Sequence, residues 1–226
     1  MSKIGYGYGS EWHLLRYLGR HRERLNESVL NTIDAESINW LDFKFSLNGK
    51  WTDREFTGVD FVKDQQLSAD WREFWPQRGN AQNWDAIAKI ECVTGTEWLL
   101  VEAKSHTKEV ITKCTAKLKG GRRKIVETLN EVKRNLEVPD QADWLEPYYQ
   151  FCNRIAALYF LHNHGVRARL MFIYFTGDHM KQKTCYCPVS NEGWQDVLQA
   201  QDRHVRLPEV HELNDRIHKL FLPVRG

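Results

Sequence analysis

Six consecutive apolar residues, Leu170-Met171-Phe172-Ile173-Tyr174-Phe175, leave little freedom in how this chain can fold. Side chains along a strand alternate between its two faces. A strand that is apolar on both must therefore be covered on both, as interior strands of helix-covered sheets are. The run ends at the turn-forming Thr176-Gly177-Asp178. With 226 residues, 42% of them hydrophobic, the chain can bury one substantial core around such a strand, and a single domain is expected.

The surrounding pattern predicts what covers it. Leu15, Leu18, Leu25, Val29 and Ile33 recur at helical spacing, which predicts one helix over 10–33 with Ser10 as its N-cap. Segments 40–47 and 55–62 read as strands around an Asn48-Gly49 turn, and 64–82, without clear period, reads as an ordered surface loop. Strands over 84–91 and 97–104 flank Thr94-Gly95-Thr96, a connection short enough for an antiparallel hairpin. After Gly120-Gly121, the positions of Ile125, Leu129, Val132 and Leu136 predict an amphipathic helix. A second helix, 148–164, is apolar nearly all round and stops at Gly165. Ser190 is placed to cap a helix over 191–203, and a last apolar stretch covers 220–224. This order predicts an α/β domain in which a mixed β-sheet is sandwiched by α-helices.

No apolar run reaches signal-peptide or membrane-span length, so a soluble cytoplasmic protein with no membrane partner is expected. Five unevenly spaced cysteines argue against a disulfide framework. Net charge is only +2, but its distribution is uneven. Between Lys104 and Lys124 the chain carries Lys104, Lys108, Lys113, Lys117, Lys119, Arg122, Arg123 and Lys124 against the single acid Glu109. A local positive patch on an acidic remainder suits an anionic polymer such as nucleic acid. The plainer alternative is a solvated basic loop.

Alternation along a strand puts Glu102 and Lys104 on one face and Val101 and Ala103 on the other. An isolated Glu-x-Lys at a strand end is common and carries little. It gains weight because a hairpin spaces its strands about 5 Å apart, which can set Asp85 beside Glu102. Two carboxylates suffice for a hard cation such as Mg²⁺, which completes its shell with waters and phosphate oxygens. Such an ion polarises a phosphoryl group and lowers the pKa of a water, with Lys104 placed to orient that water or stabilise developing charge. Glu11 falls on the apolar face of the first helix and is either satisfied by first-turn amides or aimed at Asp85 and Glu102. Arg22, on the same face, ranks below it.

A helix carrying Glu11, Asp85 opening a strand, Glu102-Ala103-Lys104 closing the next, and then a helix together resemble the PD-(D/E)XK, or restriction-endonuclease-like, superfamily over roughly residues 10–175. The resemblance implies an αβββαβ core with 176–226 as a C-terminal extension. It implies Mg²⁺ or Mn²⁺ held by Asp85, Glu102 and Glu11, with Lys104 assisting the attacking water, and phosphodiester hydrolysis on nucleic acid, DNA in first place. Trp84 stands where the pattern has proline, and Asp60 is a rival for the aspartate position. Lys108, Lys113, Lys117, Lys119, Arg122, Arg123 and Lys124 would then grip the backbone. Gln150, Asn153 and Arg154, at i, i+3 and i+4 of one helix, are further candidates or purely structural polar groups; Tyr149 ranks below them. His106 is a secondary candidate for phosphate contact or proton transfer. Cys185, Cys187, His162, His164 and His179 match no usual zinc module. A catalytically silent module binding nucleic acid or a protein, and an enzyme acting on a small phosphorylated substrate, are the rival readings. The sequence is compatible with a homodimer without fixing the oligomeric state.

Overall fold

The structure, a computed structural model, describes residues 8–41, 55–77, 82–178 and 187–224. Its centre is a five-stranded mixed sheet in the order β1-β4-β5-β6-β7. The strands are β1 (Ser37–Trp40), β4 (Ala86–Cys92), β5 (Gly95–Lys104), β6 (Ala168–Thr176) and β7 (Ile217–Pro223). β1, β4 and β5 pair antiparallel, whereas β5, β6 and β7 run parallel. The apolar run lies in β6, between two parallel partners, with Leu170, Phe172 and Tyr174 in one core and Met171, Ile173 and Phe175 in the other. Each face of the sheet thus owns a core of its own.

Helices α1 (Ser10–Leu18) and α2 (Arg22–Ile33) cover the face carrying Val101 and Ala103. The opposite face is covered by α3 (Gln65–Phe74), α4 (Arg122–Asn135), α5 (Tyr149–Asn163) and α6 (Glu192–Val205). The anticipated α/β architecture, a mixed sheet with helices on both faces, is therefore what the chain adopts. A short pair, β2 (Phe56–Thr57) with β3 (Asn83–Trp84), lies beside the main sheet. Trp84 is fully buried there and donates its indole N–H to the Gly58 carbonyl, 2.8 Å away.

Five sequence expectations need correction. The strand expected over 55–62 is reduced to Phe56–Thr57, followed by a turn and the 3₁₀ turn Asp60–Val62, and Asn191, not Ser190, stands at the N-cap position of α6. The single helix over 10–33 is two, because the chain turns at Gly19-Arg20-His21, and Gly9, not Ser10, stands at the N-cap position of α1. The turn resets the helical phase, so the buried side of α1 is His13, Leu14, Tyr17 and Leu18. Arg22 caps the break by donating to the Leu18 carbonyl. The loop expected over 64–82 contains α3, started by Asp64, whose carboxylate accepts from the Leu67 amide at 2.8 Å. Only Leu67 and Trp71 bury from this helix, a stripe too thin to read as a period. The strand expected over 84–91 is interrupted at Asp85, between β3 and β4. The Asn48-Gly49 turn lies outside the described residues.

The C-terminal segment supplies the fifth strand, since β7 pairs with β6 from Leu170↔Ile217 to Thr176↔Pro223. Its approach is set by α6, where Trp194 is fully buried against Tyr174 and donates to the Phe175 carbonyl at 3.1 Å. Among the described residues no helix is long and apolar enough to cross a membrane. Trp194→Ala empties this position, and urea denaturation should show a loss of about 3–5 kcal/mol, the usual range for a buried tryptophan; a loss below about 1 kcal/mol would mean α6 is not integral to the sheet.

Candidate active site

Strand β5 ends by delivering Glu102 and Lys104 to the face covered by α5, as alternation requires. Val101 and Ala103 point the other way into the core beneath α1 and α2. Glu102 is only 2% exposed and Lys104 9%. A carboxylate so buried needs partners for both oxygens. The Lys104 ammonium bonds Oε1, and the Arg154 guanidinium grips Oε2 from Nε at 2.8 Å and Nη2 at 2.7 Å. Burial opposes ionisation of Glu102, but the Arg154 and Lys104 charges outweigh it and hold its carboxyl below the ordinary range.

Helix α5 places those partners one turn apart. Gln150 accepts from Lys104 Nζ at 2.8 Å, and Arg154 lies four residues later on the same side. The guanidinium is itself fastened: Nη1 donates to Asn153 Oδ1 at 2.8 Å, Nη2 also donates to the Asn83 carbonyl, and the Trp84 ring centroid lies 4.9 Å from Cζ. Gln150, Asn153 and Arg154 are thus brought together with Glu102 and Lys104 as one polar network, most of it buried.

Asp85 joins this group through the gap between β3 and β4. Its amide donates to the Val101 carbonyl at 3.1 Å, and its Oδ2 accepts from the Ala103 amide at 2.7 Å, so the carboxyl lies alongside the Glu102-Ala103-Lys104 strand end. Unlike Glu102 it has no cation bonded to it among the described residues. Enclosure of the carboxyl by protein, reinforced by the Glu102 charge, pushes its pKa up to about 8. The residue itself keeps some exposure, toward an open cleft.

That cleft, about 900 Å³, is lined by Glu55, Asn83 and Asp85, by Thr112, Lys113, Thr115 and Lys117, and by Gln150, Asn153 and Arg154. The expected basic segment is therefore split. Lys113 and Lys117 face the cleft; Lys108 lines a separate depression with Thr107 and Ile111. Arg122 donates to the Cys114 carbonyl at 3.1 Å, Arg123 pairs with Glu127 on the exposed side of α4, and Lys119 and Lys124 are exposed.

Other expectations fare differently. Glu11 is exposed in the first turn of α1, not on the buried stripe, because α1 is cut short and its inner face is the one through His13 and Tyr17. Its helix packs on the sheet face opposite Glu102, yet its charge acts on Glu55. Glu55 was not foreseen: burial and the nearby Glu102 and Glu11 charges raise its carboxyl pKa, with a hydrogen bond to Asn83 opposing. No motif marked it, because its relevance comes from the cleft alone. Asp60, the rival aspartate, is exposed in the 3₁₀ turn Asp60–Val62. Tyr149 lines the cleft, its hydroxyl pKa raised by burial.

His106 points away from the cleft. It is buried with Nε2 at 3.4 Å from Asp178, which also receives Ser105 Oγ at 2.6 Å and the Gly9 amide at 3.0 Å and has His13 Nε2 3.0 Å away. Burial works against the Asp178 charge, but these donors hold its carboxyl far below the usual range. Cys187, buried beside the Asp178 amide, belongs to this cluster, while Cys185 and His179 lie outside the described residues. His162 and His164 lie near Glu212 and Asp70 at the far end of α5.

Among the described residues no three His, Cys, Asp or Glu side chains form a ready metal cage. Mg²⁺ does not require one, since one or two carboxylates plus waters are its usual protein share. Asp85 beside Glu102 offers carboxylate oxygens of the kind such an ion takes, although Lys104 and Arg154 already bond both Glu102 oxygens and burial raises the Asp85 pKa. No protein-family model, curated protein or solved structure matches this chain.

The raised Asp85 pKa has a defined sign. Below about 4 both folded and unfolded chains keep this proton; between about 4 and about 8 only the folded chain does, so this group's contribution to stability falls as pH rises. Asp85→Asn keeps the acceptor for the Ala103 amide and removes the titration. In chelator, the melting temperature of Asp85→Asn should match wild type near pH 4.5 and exceed it increasingly toward pH 8. A difference that is constant with pH would mean Asp85 is ionised normally.

Proposed function

We propose that the protein is a metal-dependent nuclease that hydrolyses phosphodiester bonds of nucleic acid, DNA in first place. The observation that carries this is one cleft lined both by Asp85, which adjoins Glu102 and Lys104, and by Lys113 and Lys117. A carboxyl suited to a divalent ion thus shares a cleft with cations suited to phosphate. The element order, with a helix before the strands and the Glu-x-Lys strand leading through helices to a parallel strand, is compatible with a restriction-endonuclease-like core and supports the same reading.

Asp85 and Glu102 would hold Mg²⁺ or Mn²⁺, which when bound supplies charge to polarise the phosphoryl group and acidify a water. The chain's own residues do the rest. Gln150 fixes the Lys104 ammonium, which is then oriented to hold the attacking water or the charge that develops on phosphorus-bound oxygen. Arg154 keeps Glu102 ionised and in place. Lys113 and Lys117 bind the flanking backbone.

A second reading, a silent module that binds nucleic acid without cutting it, is favoured by one feature: both Glu102 oxygens already have cationic partners in Lys104 and Arg154. Activity separates the two. Purified protein should cleave nucleic acid with Mg²⁺ or Mn²⁺ and not in chelator. Lys104→Ala should lower turnover about 10² to 10⁴-fold with little change in affinity, since Arg154 still neutralises Glu102. Absence of cleavage over a broad metal and substrate panel would establish the silent module. The paired change Lys113→Ala and Lys117→Ala should reduce the slope of log affinity against log salt by about 2, whereas the same change at Arg123 and Lys124, which lie off the cleft, should matter less; equal effects would make the patch a diffuse one.

A further inference from the structure

Glu102 is not a free ligand: Lys104 holds one of its oxygens and Arg154 the other. A hard divalent ion takes one or two carboxylates and completes its shell with waters. Asp85 can give one. The other carboxyl lining the cleft is that of Glu55, and the register of β2 on β3 places the two side by side.

In this antiparallel pair Phe56 lies opposite Trp84 and Thr57 opposite Asn83. At one end the ladder continues, the Gly58 amide donating to the Gln82 carbonyl at 2.8 Å. Hydrogen-bonded and non-hydrogen-bonded pairs alternate along such a ladder. Gly58–Gln82 and Phe56–Trp84 are therefore of the first kind, and Thr57–Asn83 is of the second. One step further Glu55 comes opposite Asp85 as another non-hydrogen-bonded pair, the kind whose side chains approach most closely, with Cβ atoms about 4.5–5.5 Å apart. Backbone groups at such a position point away from the partner strand, and the Asp85 amide does so, donating to Val101 of β5 at 3.1 Å.

Side-chain direction agrees with the register. Phe56 and Trp84 are buried on one face of the pair, whereas Glu55, Thr57, Asn83 and Asp85 keep exposure. Thr57 Oγ1 donates to Asn83 Oδ1 at 3.3 Å, which leaves the Asn83 amide nitrogen for its hydrogen bond to the Glu55 carboxyl. Carboxylates directly opposite one another repel unless a cation or a proton lies between them. We propose that Glu55 is a ligand of the divalent ion, sharing it with Asp85 across the β2–β3 pair and supplying the free carboxylate that Glu102 does not offer. Both residues line the open cleft, so an ion between them keeps its waters and a position for a phosphate oxygen. The proposal rests on the nuclease reading for the cutting step but not for the binding of the ion.

Two readouts keep those apart. Mn²⁺ is titrated into the full chain without nucleic acid, and the free ion is read by electron paramagnetic resonance. Glu55→Gln keeps an acceptor for Asn83 at an exposed position, and circular dichroism checks that it folds. Glu55→Gln and Asp85→Asn should each weaken Mn²⁺ binding at least about tenfold, and Glu55→Asp, still a carboxylate, should recover part of the loss. Asp60→Asn removes an equal charge from the same segment but off the cleft, and should change affinity by about threefold at most. Wild-type affinity in Glu55→Gln, an equal loss in Asp60→Asn, or no Mn²⁺ binding by wild type overturns the proposal. Metal-dependent cleavage that persists in Glu55→Gln at wild-type rate also overturns it, while the nuclease reading survives. Binding that depends on Glu55, with no cleavage of any nucleic acid, supports the proposal and removes the nuclease reading instead.

Discussion

Taking a carboxylate out of water costs several kcal/mol unless matching charges and hydrogen bonds replace what water gave. Glu102, buried at the end of the central strand, imposes that condition on everything around it. Lys104 answers from the same strand and Arg154 from α5, so the register of α5 over the sheet is fixed: one turn must bring Gln150 to Lys104 while the next brings Arg154 to Glu102. Arg154 in turn fixes the strand carrying Asn83 and Trp84 through its bond to the Asn83 carbonyl and its place over the indole. The sheet, the helix and the short outer strand are thus locked by one cluster, and α5 can be apolar elsewhere because its polar residues are spent there.

Asp85 lies within the same cluster but is treated differently. Its oxygen receives a backbone amide, not a cation, and it sits beside a carboxylate that has claimed the available positive charge. Neighbouring carboxyls with opposed pKa shifts, one lowered and one raised, are a common property of sites that bind ions or move protons. The asymmetry comes from which cations reach which oxygen, and that depends on α5.

A second buried carboxylate, Asp178, performs the corresponding task on the other side of the sheet. Following β6, it gathers the Gly9 amide and His13 from the start of α1 and Ser105 and His106 from just beyond β5. These contacts tie the N-terminal helix to the ends of two parallel strands, where chain connections diverge. They also explain why His106, two residues past Lys104, turns away from the cleft: its ring is used inside the protein.

Local chemistry was legible in the sequence wherever a short pattern suffices. The unbroken apolar run announced an interior strand, because alternation makes two-sided burial visible in six residues, and the Glu102-Ala103-Lys104 alternation gave the two charged side chains a common face. The helices α4 and α5, with many buried positions, were legible within a few residues, whereas α3, with two, was not. Glu11 misled because one helix read as continuous is two, and three turning residues shift the phase of everything before them. What tertiary structure alone decided is charge pairing and exposure: that Arg154 belongs to Glu102, that Asp85 is left without a cation, that Glu55 enters the cleft, and that only Lys113 and Lys117 of the basic run face it. Such facts depend on groups far apart in sequence meeting within about 3 Å, a distance that spacing along a chain does not encode.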